Sequence, residues 1–391
     1  MINLNNILKS GENCCGCHSC QQVCPKNCIT LKPDNEGFLY PVIDEQHCID
    51  CGLCVKKCPV LTDVERQDTK DVYASKIKDE NALFNSTSGG VFYELAKLIL
   101  SKNGIVFGCA YDENLVARHI SINCIDDIKK LQSSKYVQSD LTDIFTQVKT
   151  ALEKEQFVLF CGTGCQVAGL KAFLGKEYNN LYTADILCHG VPSPKLFKKY
   201  LQWLENKTGD KITYFNFRSK KKHGWQHFFQ YDTQNKSKVK YGLFDPYYNA
   251  FISSKTIRKS CYNCKFANTL RPSDITLGDY WGIEYAHPEF YSSKGVSLVL
   301  VNTDKGRKMW NDISQNLTCI KSEIKKAVPL NSNLVSPPQK PPCRDNIYAG
   351  IDGDFDKFVK TNLKFKVNPL KRVIMLIPSD VKFKIKRLIK H

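Results

Sequence analysis

The chain has 391 residues, of which 42% are hydrophobic and 24% are charged, a composition typical of soluble globular proteins rather than of disordered ones. No apolar run approaches the ~20 residues that a membrane-spanning helix needs, and residues 1–10 lack the apolar core of a signal peptide. The formal net charge of +17 makes acidic proteins, anionic membranes and nucleic acid the partner classes to consider.

Two cysteine runs with identical spacing open the chain. Each reads C-x2-C-x2-C-x3-C-P, the spacing of bacterial ferredoxins that hold two [4Fe–4S] clusters. The eight cysteines are Cys14, Cys17, Cys20, Cys24, Cys48, Cys51, Cys54 and Cys58. We therefore predict a two-cluster ferredoxin domain over residues 1–62. Because cysteines at this spacing argue against an oxidising compartment, we expect a cytoplasmic protein.

The fourth cysteine of each run is expected to bind the cluster of the other run, as in two-cluster ferredoxins. The predicted ligand sets are Cys14, Cys17, Cys20 and Cys58 for one cluster, and Cys48, Cys51, Cys54 and Cys24 for the other. A zinc ribbon is the weaker alternative, because zinc needs only four ligands and has no use for the complete spacing. Cys15 and Cys28 fall outside the pattern and are expected to be spare thiols. Residues 29–44 predict a β-hairpin between the runs.

After a polar linker at residues 63–71, strand-like and helix-like segments alternate and predict a mixed α/β domain over residues 72–330. Its two parts are expected at about 72–155 and 156–330, with a C-terminal extension at 331–391. The predicted strands are residues 72–77, 105–110, 115–122, 157–161, 184–187 and 296–301. The predicted helices are residues 88–102, 140–154, 166–174, 194–205 and 305–314. Past residue 211 we expect antiparallel strands. The predicted fold class is α+β for the ferredoxin domain and α/β for the remainder.

A short polar loop precedes the first predicted helix of the large domain. Its residues are Ser86, Thr87, Ser88, Gly89 and Gly90. Hydroxyl groups, glycines and free N–H groups at a helix N-terminus suit a diphosphate. Taken by itself, the loop is more simply interpreted as a helix cap.

Four further cysteines are set apart by their context. Cys165 lies in a Gly-rich turn after a predicted strand, Cys188 ends another predicted strand, and Cys261 and Cys264 form a CxxC turn. Buried free cysteines at strand ends are common, so these four alone are weak evidence for a metal site. His189, beside Cys188, is a candidate proton donor or hydrogen-bond partner of a cluster sulfur.

Five segments carry a family resemblance, in the order 86–90, 162–166, 188–193, 261–265 and 274–282. Together they resemble the coenzyme F420 hydrogenase/dehydrogenase beta-subunit family, over about residues 72–303. The resemblance implies an FAD beside a [4Fe–4S] cluster, and electron transfer between iron–sulfur centres and a two-electron acceptor. Relatives often have proline where this chain has Gly164.

The resemblance also implies roles for particular residues. Cys165, Cys188, Cys261 and Cys264 become candidate ligands of a third cluster, with Cys161 as a substitute for one of them. The loop from Ser86 to Gly90 becomes a candidate site for the FAD pyrophosphate. Residues 134–138 also resemble a family segment, in which Lys135, next to Tyr136, either stabilises a reduced, anionic flavin or is a surface lysine.

A basic loop at residues 218–225 contains Arg218, three lysines, His223 and Trp225. It either receives an acidic partner, such as a ferredoxin or an acidic substrate, or is a solvated hairpin tip. The second interpretation is slightly favoured.

The C-terminal tail is the most basic part of the chain. Residues 361–391 hold nine Lys or Arg and one acid, Asp380, which gives +8 of the +17. Its apolar residues Val381, Ile385, Leu388 and Ile389 fall on one helical face. The tail is therefore either an interfacial helix on an anionic membrane, at its inner face, or a frayed solvated segment. Specific nucleic-acid binding is disfavoured, because no nucleic-acid motif appears.

The sequence thus predicts a flavin-dependent iron–sulfur oxidoreductase, with no catalytic residue assigned. One-electron carriers such as ferredoxin would supply the clusters, and FAD would pass two electrons to an acceptor. The resemblance suggests a deazaflavin as that acceptor, and a cell-surface polysaccharide pathway is a further hypothesis. The alternative is a non-enzymatic electron-transfer adaptor subunit that docks a partner oxidoreductase.

Overall fold

The structure is a computed structural model that describes residues 13–366, 373 and 376–389. Within these residues, no helix combines the length and the apolar character needed to span a bilayer. The described part consists of a small cysteine-rich unit at the N-terminus, a large mixed sheet, a small antiparallel sheet and a C-terminal helix.

The N-terminal unit folds around the predicted hairpin. Strand β1 (Ile29–Pro33) pairs antiparallel with β2 (Leu39–Ile43). The Asp34 carboxylate closes the turn by accepting a hydrogen bond from the backbone N–H of Phe38 at 2.8 Å. The hairpin prediction is therefore confirmed.

Each cysteine run winds into one short helix, α1 (Ser19–Gln22) or α2 (Leu53–Lys56). The residues before these helices, His18 and Gly52, have left-handed φ values of 64° and 68°. The left-handed residue turns the backbone sharply between two cysteines of each run.

An eight-stranded mixed sheet forms the centre of the large domain. Its strands, in spatial order, are β13 (Leu317–Ser322), β3 (Asp71–Ile77), β12 (Ser297–Val301), β11 (Ile275–Asp279), β7 (Leu181–Ile186), β6 (Val158–Thr163), β4 (Ile105–Tyr111) and β5 (Ala117–Ile122). The neighbouring strands β11, β7, β6 and β4 run parallel, whereas the outer strands pair antiparallel.

Helices and turns cover both faces of this sheet. The helices of the large domain, in chain order, are α3 (Glu80–Asn85), α4 (Val91–Ser101), α5 (Ile128–Leu131), α6 (Ile144–Glu153), α7 (Gly164–Leu174), α8 (Pro194–Thr208), α9 (Pro246–Ile252), α10 (Ile283–Ala286), α11 (Asp304–Ser314), α12 (Ile324–Ala327) and α13 (Phe355–Thr361). Successive residues of β6 alternate between the faces, because side chains of a strand alternate. Leu159 packs with α4 and α11, and Val158 and Phe160 pack with α6 and α7.

The small sheet orders its strands as β10 (Ser237–Tyr241), β9 (Phe228–Thr233) and β8 (Ile212–Asn216), all antiparallel. It packs against α8 through an aromatic core that includes Phe197 and Phe215. The antiparallel prediction past residue 211 is confirmed here but is wrong for β11, which pairs parallel with β7.

Most predicted elements are present within a few residues of their expected positions. The helix expected at 140–154 begins four residues later, at Ile144. The strand expected at 184–187 is β7, which ends at Ile186 and leaves Cys188 in the following loop. The helix expected at 88–102 begins at Val91. Residues 86–90 therefore form a loop in front of the helix rather than its first turn.

Candidate functional site

The carboxyl ends of three neighbouring strands meet at one edge of the large sheet. β6 ends at Thr163, β7 at Ile186 and β11 at Asp279. Ligands of open α/β sheets bind outside the carboxyl ends of parallel strands. Cys165 lies in the first turn of α7 after β6, and Cys188 follows β7, so the topology brings both candidate ligands to one edge.

The structure brings the four candidate ligands Cys165, Cys188, Cys261 and Cys264 together. The Cys165 thiol lies close enough to raise the pKa of each of the other three thiols. Burial, followed by the nearby Cys165 thiol, raises the pKa of Cys188 to about 12 and that of Cys264 to about 11. Bound iron would reverse this effect, because a metal ion deprotonates the thiol that ligates it. The donor set therefore fits a [4Fe–4S] cluster.

Hydrogen bonds and buried charge surround this third cysteine site. The Thr163 Oγ1 lies 3.1 Å from the Cys165 Sγ, and the backbone N–H of Gly190 donates to the Cys188 Sγ at 3.3 Å. Arg271, only 2% exposed, forms a 2.6 Å ion pair with the fully buried Asp185. Donors and positive charge near cluster sulfurs are the usual means of setting a reduction potential.

Cys161 does not join this group. Its electrostatic neighbours are Asp185, Cys109 and Lys135, and not the four thiols of the third site. The substitution of Cys161 for one of the predicted ligands is therefore not supported by the geometry.

The N-terminal cysteines form two groups that follow the predicted crossover. Cys14, Cys58 and Cys54 are the thiol neighbours of Cys20, and Cys51 and Cys24 are those of Cys54. Cys58 thus lies with the first run and Cys24 with the second. Their assignment to two clusters stays a prediction that this geometry supports.

A single metal ion fits these residues less well than a cluster does. Among the described residues, no three His, Cys, Asp or Glu side chains converge closely enough to hold one ion. A cuboidal cluster distributes its thiolates around a cage, whereas a zinc ion requires four donors within about 2.3 Å of one point.

The two cysteines outside the ferredoxin pattern both contact cluster residues. Cys165 of the third site and Cys17 of the first run have the largest effects on the pKa of Cys15, which places its thiol near both. The Cys28 Sγ lies 3.3 Å from the Cys24 Sγ. The expectation that these are spare thiols stays a prediction, and Cys15 lies near residues of two predicted cluster sites.

The polar loop from Ser86 to Gly90 joins the helix α3 to the helix α4. Its hydroxyl groups already have protein partners: Ser86 donates to the Ala82 carbonyl at 2.7 Å, and Ser88 to the Val296 carbonyl at 2.8 Å. The Thr87 Oγ1 lies 3.1 Å from the Ser134 Oγ. The free N–H groups of α4, rather than these hydroxyls, are therefore the donors that the loop offers to a diphosphate.

The two glycines of the loop are required by different features. Gly90 has a φ of +84°, which favours glycine. A Cβ at Gly89 would collide with the Ser75 carbonyl oxygen and the backbone nitrogen of Ser297. The loop can approach the sheet this closely only because Gly89 has no side chain.

Sequence reasoning missed the two basic residues that adjoin this loop. Lys220 is 8% exposed, and its ammonium donates to the carbonyls of Leu83 at 2.6 Å and Ser88 at 2.7 Å. Burial lowers the pKa of Lys220 to about 7. The favoured interpretation of residues 218–225 as a solvated hairpin tip is therefore wrong for Lys220, although Lys221, Lys222 and His223 are exposed.

Arg218 is buried as well and supplies an unused donor. Its Nη1 forms a 2.8 Å ion pair with Asp279 at the end of β11 and donates to the Tyr136 hydroxyl at 3.3 Å. Its Nη2 is buried and has no hydrogen-bond partner. Such an orphaned buried donor normally requires an explanation, such as a ligand, and an anionic group is the partner that a guanidinium prefers.

An aromatic stack covers this arginine. The rings of Trp225 and Trp281 stack at 4.8 Å with an interplanar angle of 2°, and the Arg218 guanidinium lies 5.1 Å from the Trp281 ring centre. Trp225 also donates to Asp279 at 2.7 Å. The only signal in the sequence was that Trp225 sits beside the basic run, followed by Asp279 and Trp281 in a family segment.

The structure places Lys135 in the interior of its own loop. Its ammonium donates to the carbonyls of Gln132, Leu131, Lys130 and Ser133, the shortest distance being 2.6 Å to Gln132. Burial lowers the pKa of Lys135 to about 8. Lys135 is half-buried, so its carbonyl contacts restrain a lysine at the surface, and its role toward a flavin stays a prediction.

Tyr136 lies between Arg218 and the third cysteine site. Its hydroxyl accepts from Arg218, and its ring lies 4.6 Å from that of Phe251. Tyr136 and Cys261 pack against the same small apolar cluster of Phe251, Ile257 and Tyr262. This apolar cluster therefore lies between the third cysteine site and the site around Arg218, Asp279, Trp225 and Trp281, which we call the arginine site.

His189 is turned toward protein partners. Its Nε2 lies 3.0 Å from the Ile252 carbonyl oxygen and 3.1 Å from the Ser254 Oγ. Burial lowers the pKa of His189, which favours the neutral ring. The structure shows no bond from this imidazole to a thiol, so its predicted role stays untested.

The C-terminal helix α14 (Ser379–Ile389) packs against the large domain through one ring. Phe383 stacks on Tyr291 at 4.2 Å. Val381 and Ile385 are 44% and 42% exposed, as a membrane-facing pair would be. The side chains of Leu388 and Ile389 lie outside the described residues.

A dicluster ferredoxin unit beside a mixed α/β domain is the architecture of an iron–sulfur electron-transfer protein of the oxidoreductase type. Residues 155–327 match the family model for the carboxy-terminal part of the beta subunit of coenzyme F420 hydrogenase/dehydrogenase, and residues 13–62 match that of the 4Fe-4S dicluster domain. The chain therefore carries the carboxy-terminal domain of the coenzyme F420 hydrogenase/dehydrogenase beta-subunit family behind a dicluster ferredoxin domain. The predicted family and the predicted [4Fe–4S] clusters of the ferredoxin domain are confirmed at this level.

Two curated relatives of this chain also match. The chain is 25% identical over 333 residues to a coenzyme F420-dependent sulfite reductase of Methanocaldococcus jannaschii, covering 83% of this chain and 49% of that protein. It is 25% identical over 165 residues to a subunit of the F420H2 dehydrogenase of Methanosarcina mazei, covering 39% of this chain and 46% of that protein. The chain thus spans about half the length of these relatives.

Among solved structures, the chain resembles one in the F420-reducing [NiFe] hydrogenase complex from Methanosarcina barkeri. The sequence identity is 16% and the TM-score is 0.46, with coverage of 76% of this chain and 90% of that chain.

Proposed function

We propose that the chain is an iron–sulfur flavoprotein that passes electrons between ferredoxin-type clusters and a two-electron acceptor through FAD. The observation that carries this proposal is the position of the third cysteine site. The helix α7, which carries Cys165, packs closely on the ferredoxin unit, since a Cβ at its Gly169 would lie 2.8 Å from the Cβ of Cys17. Cys261 packs on the same apolar cluster as Tyr136 of the arginine site. The three candidate sites are therefore continuous.

The residues of the arginine site suit FAD in their chemistry. The Nη2 of Arg218 is a buried cationic donor without a partner, and the N-terminus of α4 offers backbone N–H groups to a diphosphate. Gly89 lets the loop approach the sheet. These are the features by which proteins bind the phosphate groups of dinucleotides, and they support FAD binding without a Rossmann fingerprint.

The protein groups have separable tasks in this proposal. Bound clusters would carry single electrons, and bound flavin would collect two and deliver a hydride equivalent. Arg218 would bind an anionic part of the flavin while Asp279 orients the guanidinium. Trp225 and Trp281 would exclude water from that ion pair by their stacking. Lys220, which is buried, and Lys135, which is half-buried, are both held by carbonyls and would place positive charge near a reduced, anionic flavin.

The acceptor that we propose is coenzyme F420. The names of both curated relatives refer to this coenzyme, and the family model does so as well. Redox partner proteins, such as a ferredoxin, would exchange electrons with the N-terminal clusters. The hypothesis of a cell-surface polysaccharide pathway stays a prediction, to which no residue of the site is tied.

The experiment is the purification of the full chain without oxygen, followed by release of its flavin by heat and identification by chromatography. We expect about one FAD per chain, and a loss of most of it in Arg218→Met. Lys222→Met, a change to an exposed lysine of the same loop, is the matched control and should retain FAD. Intact clusters without flavin would contradict the proposal and favour an electron-transfer adaptor subunit.

A further inference from the structure

Arg258 is a fully buried residue at the junction between the ferredoxin unit and the third cysteine site. Its side chain and backbone are 0% exposed. Its carbonyl accepts a hydrogen bond from the backbone N–H of Cys261 at 3.0 Å, and its own N–H donates to the Val191 carbonyl at 2.9 Å. The backbone of Arg258 is thus part of the turn that presents Cys261.

The side chain of Arg258 extends in the opposite direction, into the ferredoxin unit. Its Nε donates to the Cys14 carbonyl at 2.7 Å and its Nη2 to the Leu39 carbonyl at 2.9 Å. Its Nη1 donates to the Gln138 Oε1 at 3.1 Å. The guanidinium also lies 4.0 Å from the centre of the Tyr40 ring. One arginine therefore binds both cysteine sites at once.

The first cysteine loop fits tightly against the large domain at this point. Gln138 donates to the Cys15 carbonyl at 3.3 Å. Gly16, with a φ of +66°, lies so close to Gln138 that a Cβ would collide with its amide. A Cβ at Gly169 of α7 would lie 2.8 Å from the Cβ of Cys17. The loop cannot approach further, so its distance from the third site is fixed by packing.

Among the residues that the structure describes, no Asp or Glu forms an ion pair with Arg258. The ionisable groups nearest its guanidinium are three thiols and one phenol, namely Cys14, Tyr40, Cys15 and Cys261. A buried charge without a partner is costly. Thiolate-bound iron–sulfur clusters on both sides would supply the missing negative charge.

We propose that Arg258 is the positioning residue that holds the first ferredoxin cluster site against the third cysteine site, and that Cys15 is the contact through which they exchange electrons. This proposal rests on the proposed function. The step is the transfer of one electron: the first site is oxidised by one electron, the third is reduced by one, and no bond forms or breaks. The Cys15 thiol lies near Cys17 of the first run and Cys165 of the third site, and the Cys15 carbonyl accepts a hydrogen bond from Gln138 at 3.3 Å.

The test compares Arg258→Met and Arg258→Lys with the unaltered full chain, after anaerobic reconstitution. Iron and FAD are counted first, and the reduced proteins are then examined by EPR for magnetic interaction between the clusters and for their midpoint potentials. Arg258→Met should retain iron, lose the interaction and shift the first and third potentials to lower values. Arg258→Lys should restore the midpoint potentials, because it keeps the positive charge. It should not restore the magnetic interaction, because an ammonium group lacks the planar set of N–H donors by which the guanidinium binds both sites.

Arg344→Lys is the matched control. Arg344 is also 0% exposed and also holds the ferredoxin unit, through two bonds of 2.8 and 2.6 Å to Glu36, but it touches no cysteine of either site. A purely structural role for Arg258 would give the same spectra in both arginine variants, and this result would overturn the proposal. If Arg258→Met fails to hold iron, the EPR spectrum of Arg258→Lys tests the proposal instead. A magnetic interaction equal to that of the unaltered chain would contradict a positioning role for the guanidinium.

The role of Cys15 has its own control. Cys15→Ala should slow the reduction of the third site by the first without changing iron content, whereas Cys28→Ala, which removes the other extra thiol, should leave that rate unchanged. Equal rates in both variants would overturn the role of Cys15. A chain that binds iron at all three sites but no FAD would refute the proposed function alone, since the magnetic interaction does not depend on flavin.

Discussion

The N-terminal cysteine sites and the third cysteine site differ in how their ligands are assembled. In the N-terminal unit, each run is predicted to supply three ligands from one short loop, and the fourth cysteine of the other run is predicted to complete each set. The candidate ligands of the third site are spread over residues 165–264. Cys165 follows β6, Cys188 follows β7, and Cys261 and Cys264 lie in a turn. The first kind of site depends on local spacing, and the second depends on the strand order of the large sheet.

The difference has a consequence for stability. Local runs can bind iron before the rest of the chain folds, because metal binding and folding are coupled in small cysteine loops. The third site can form only when β6 and β7 are paired and the turn at Cys261 is held in place. We therefore expect mutations of the large domain to affect the third cluster and to spare the other two.

The largest expected effect is the loss of the third cluster in Cys188→Ser. Iron should fall from about 12 to about 8 atoms per chain, since each [4Fe–4S] cluster holds four irons. Cys124→Ser, which removes an exposed cysteine remote from the predicted ligands, should keep all of it. An unchanged iron content in Cys188→Ser would show that this thiol is not a ligand.

Arg271→Met tests how much the buried ion pair beside the third cysteine site contributes to the free energy of unfolding. Because Arg271 and Asp185 are 2% and 0% exposed at their side chains, removal of one partner leaves a buried charge and should cost about 3–5 kcal/mol. Arg307→Met, which breaks a pair whose arginine is 45% exposed, should cost at most about 1 kcal/mol. Chemical denaturation of both variants measures this difference, and equal costs would contradict the importance of the buried pair.

Gly89→Ala tests the loop in front of α4. The new methyl group would meet the Ser75 carbonyl oxygen, so we expect a loss of about 1–3 kcal/mol, as is usual for overpacking, together with reduced FAD content. Gly353→Ala should be nearly neutral, because the nearest atom to a Cβ there is 3.5 Å away. Normal flavin content in Gly89→Ala would separate this loop from the flavin site.

Lys220 should give stability a distinctive pH dependence. Burial lowers the pKa of Lys220 to about 7, below the ~10.4 of an unfolded lysine, so between these values the unfolded chain binds more protons. The free energy of unfolding should therefore rise with pH from about 7 to about 10. Lys220→Met should flatten this rise, and the exposed Lys222→Met should not; identical pH profiles in all three proteins would contradict the burial of the ammonium.

The smallest expected effect concerns the C-terminal helix. We expect weak, salt-sensitive binding of the full chain to vesicles rich in phosphatidylglycerol, and none to phosphatidylcholine vesicles. Replacing both Val381 and Ile385 by Glu should abolish it, because these exposed residues are the apolar pair of the helix. Binding that survives the double substitution would exclude this face as the membrane contact.

The sequence predicted those parts that obey local rules. The cysteine spacing identified the ferredoxin unit, and alternating apolar segments located strands such as β3 and β4 within one residue. The four ligands of the third site could be named only through the family resemblance. Their common edge became visible once the parallel pairing of β6, β7 and β11 was known.

The buried basic residues could not be predicted from sequence alone. Lys and Arg are rarely buried unless they are paired, so a basic run such as residues 218–225 normally indicates a solvated surface. Arg218, Lys220 and Arg258 depart from that rule because carbonyls, Asp279 and the candidate cofactor sites surround them. Cys15 was missed for a related reason, since its partner Cys165 is distant in sequence.

An anaerobic reductive titration of the reconstituted full chain tests the central claim most directly. Three clusters that take one electron each, and one flavin that takes two, should consume about five electron equivalents per chain. Absorbance would follow the flavin and the clusters separately. An end point near two equivalents, with ferredoxin clusters alone, would contradict both the third cluster and the flavin.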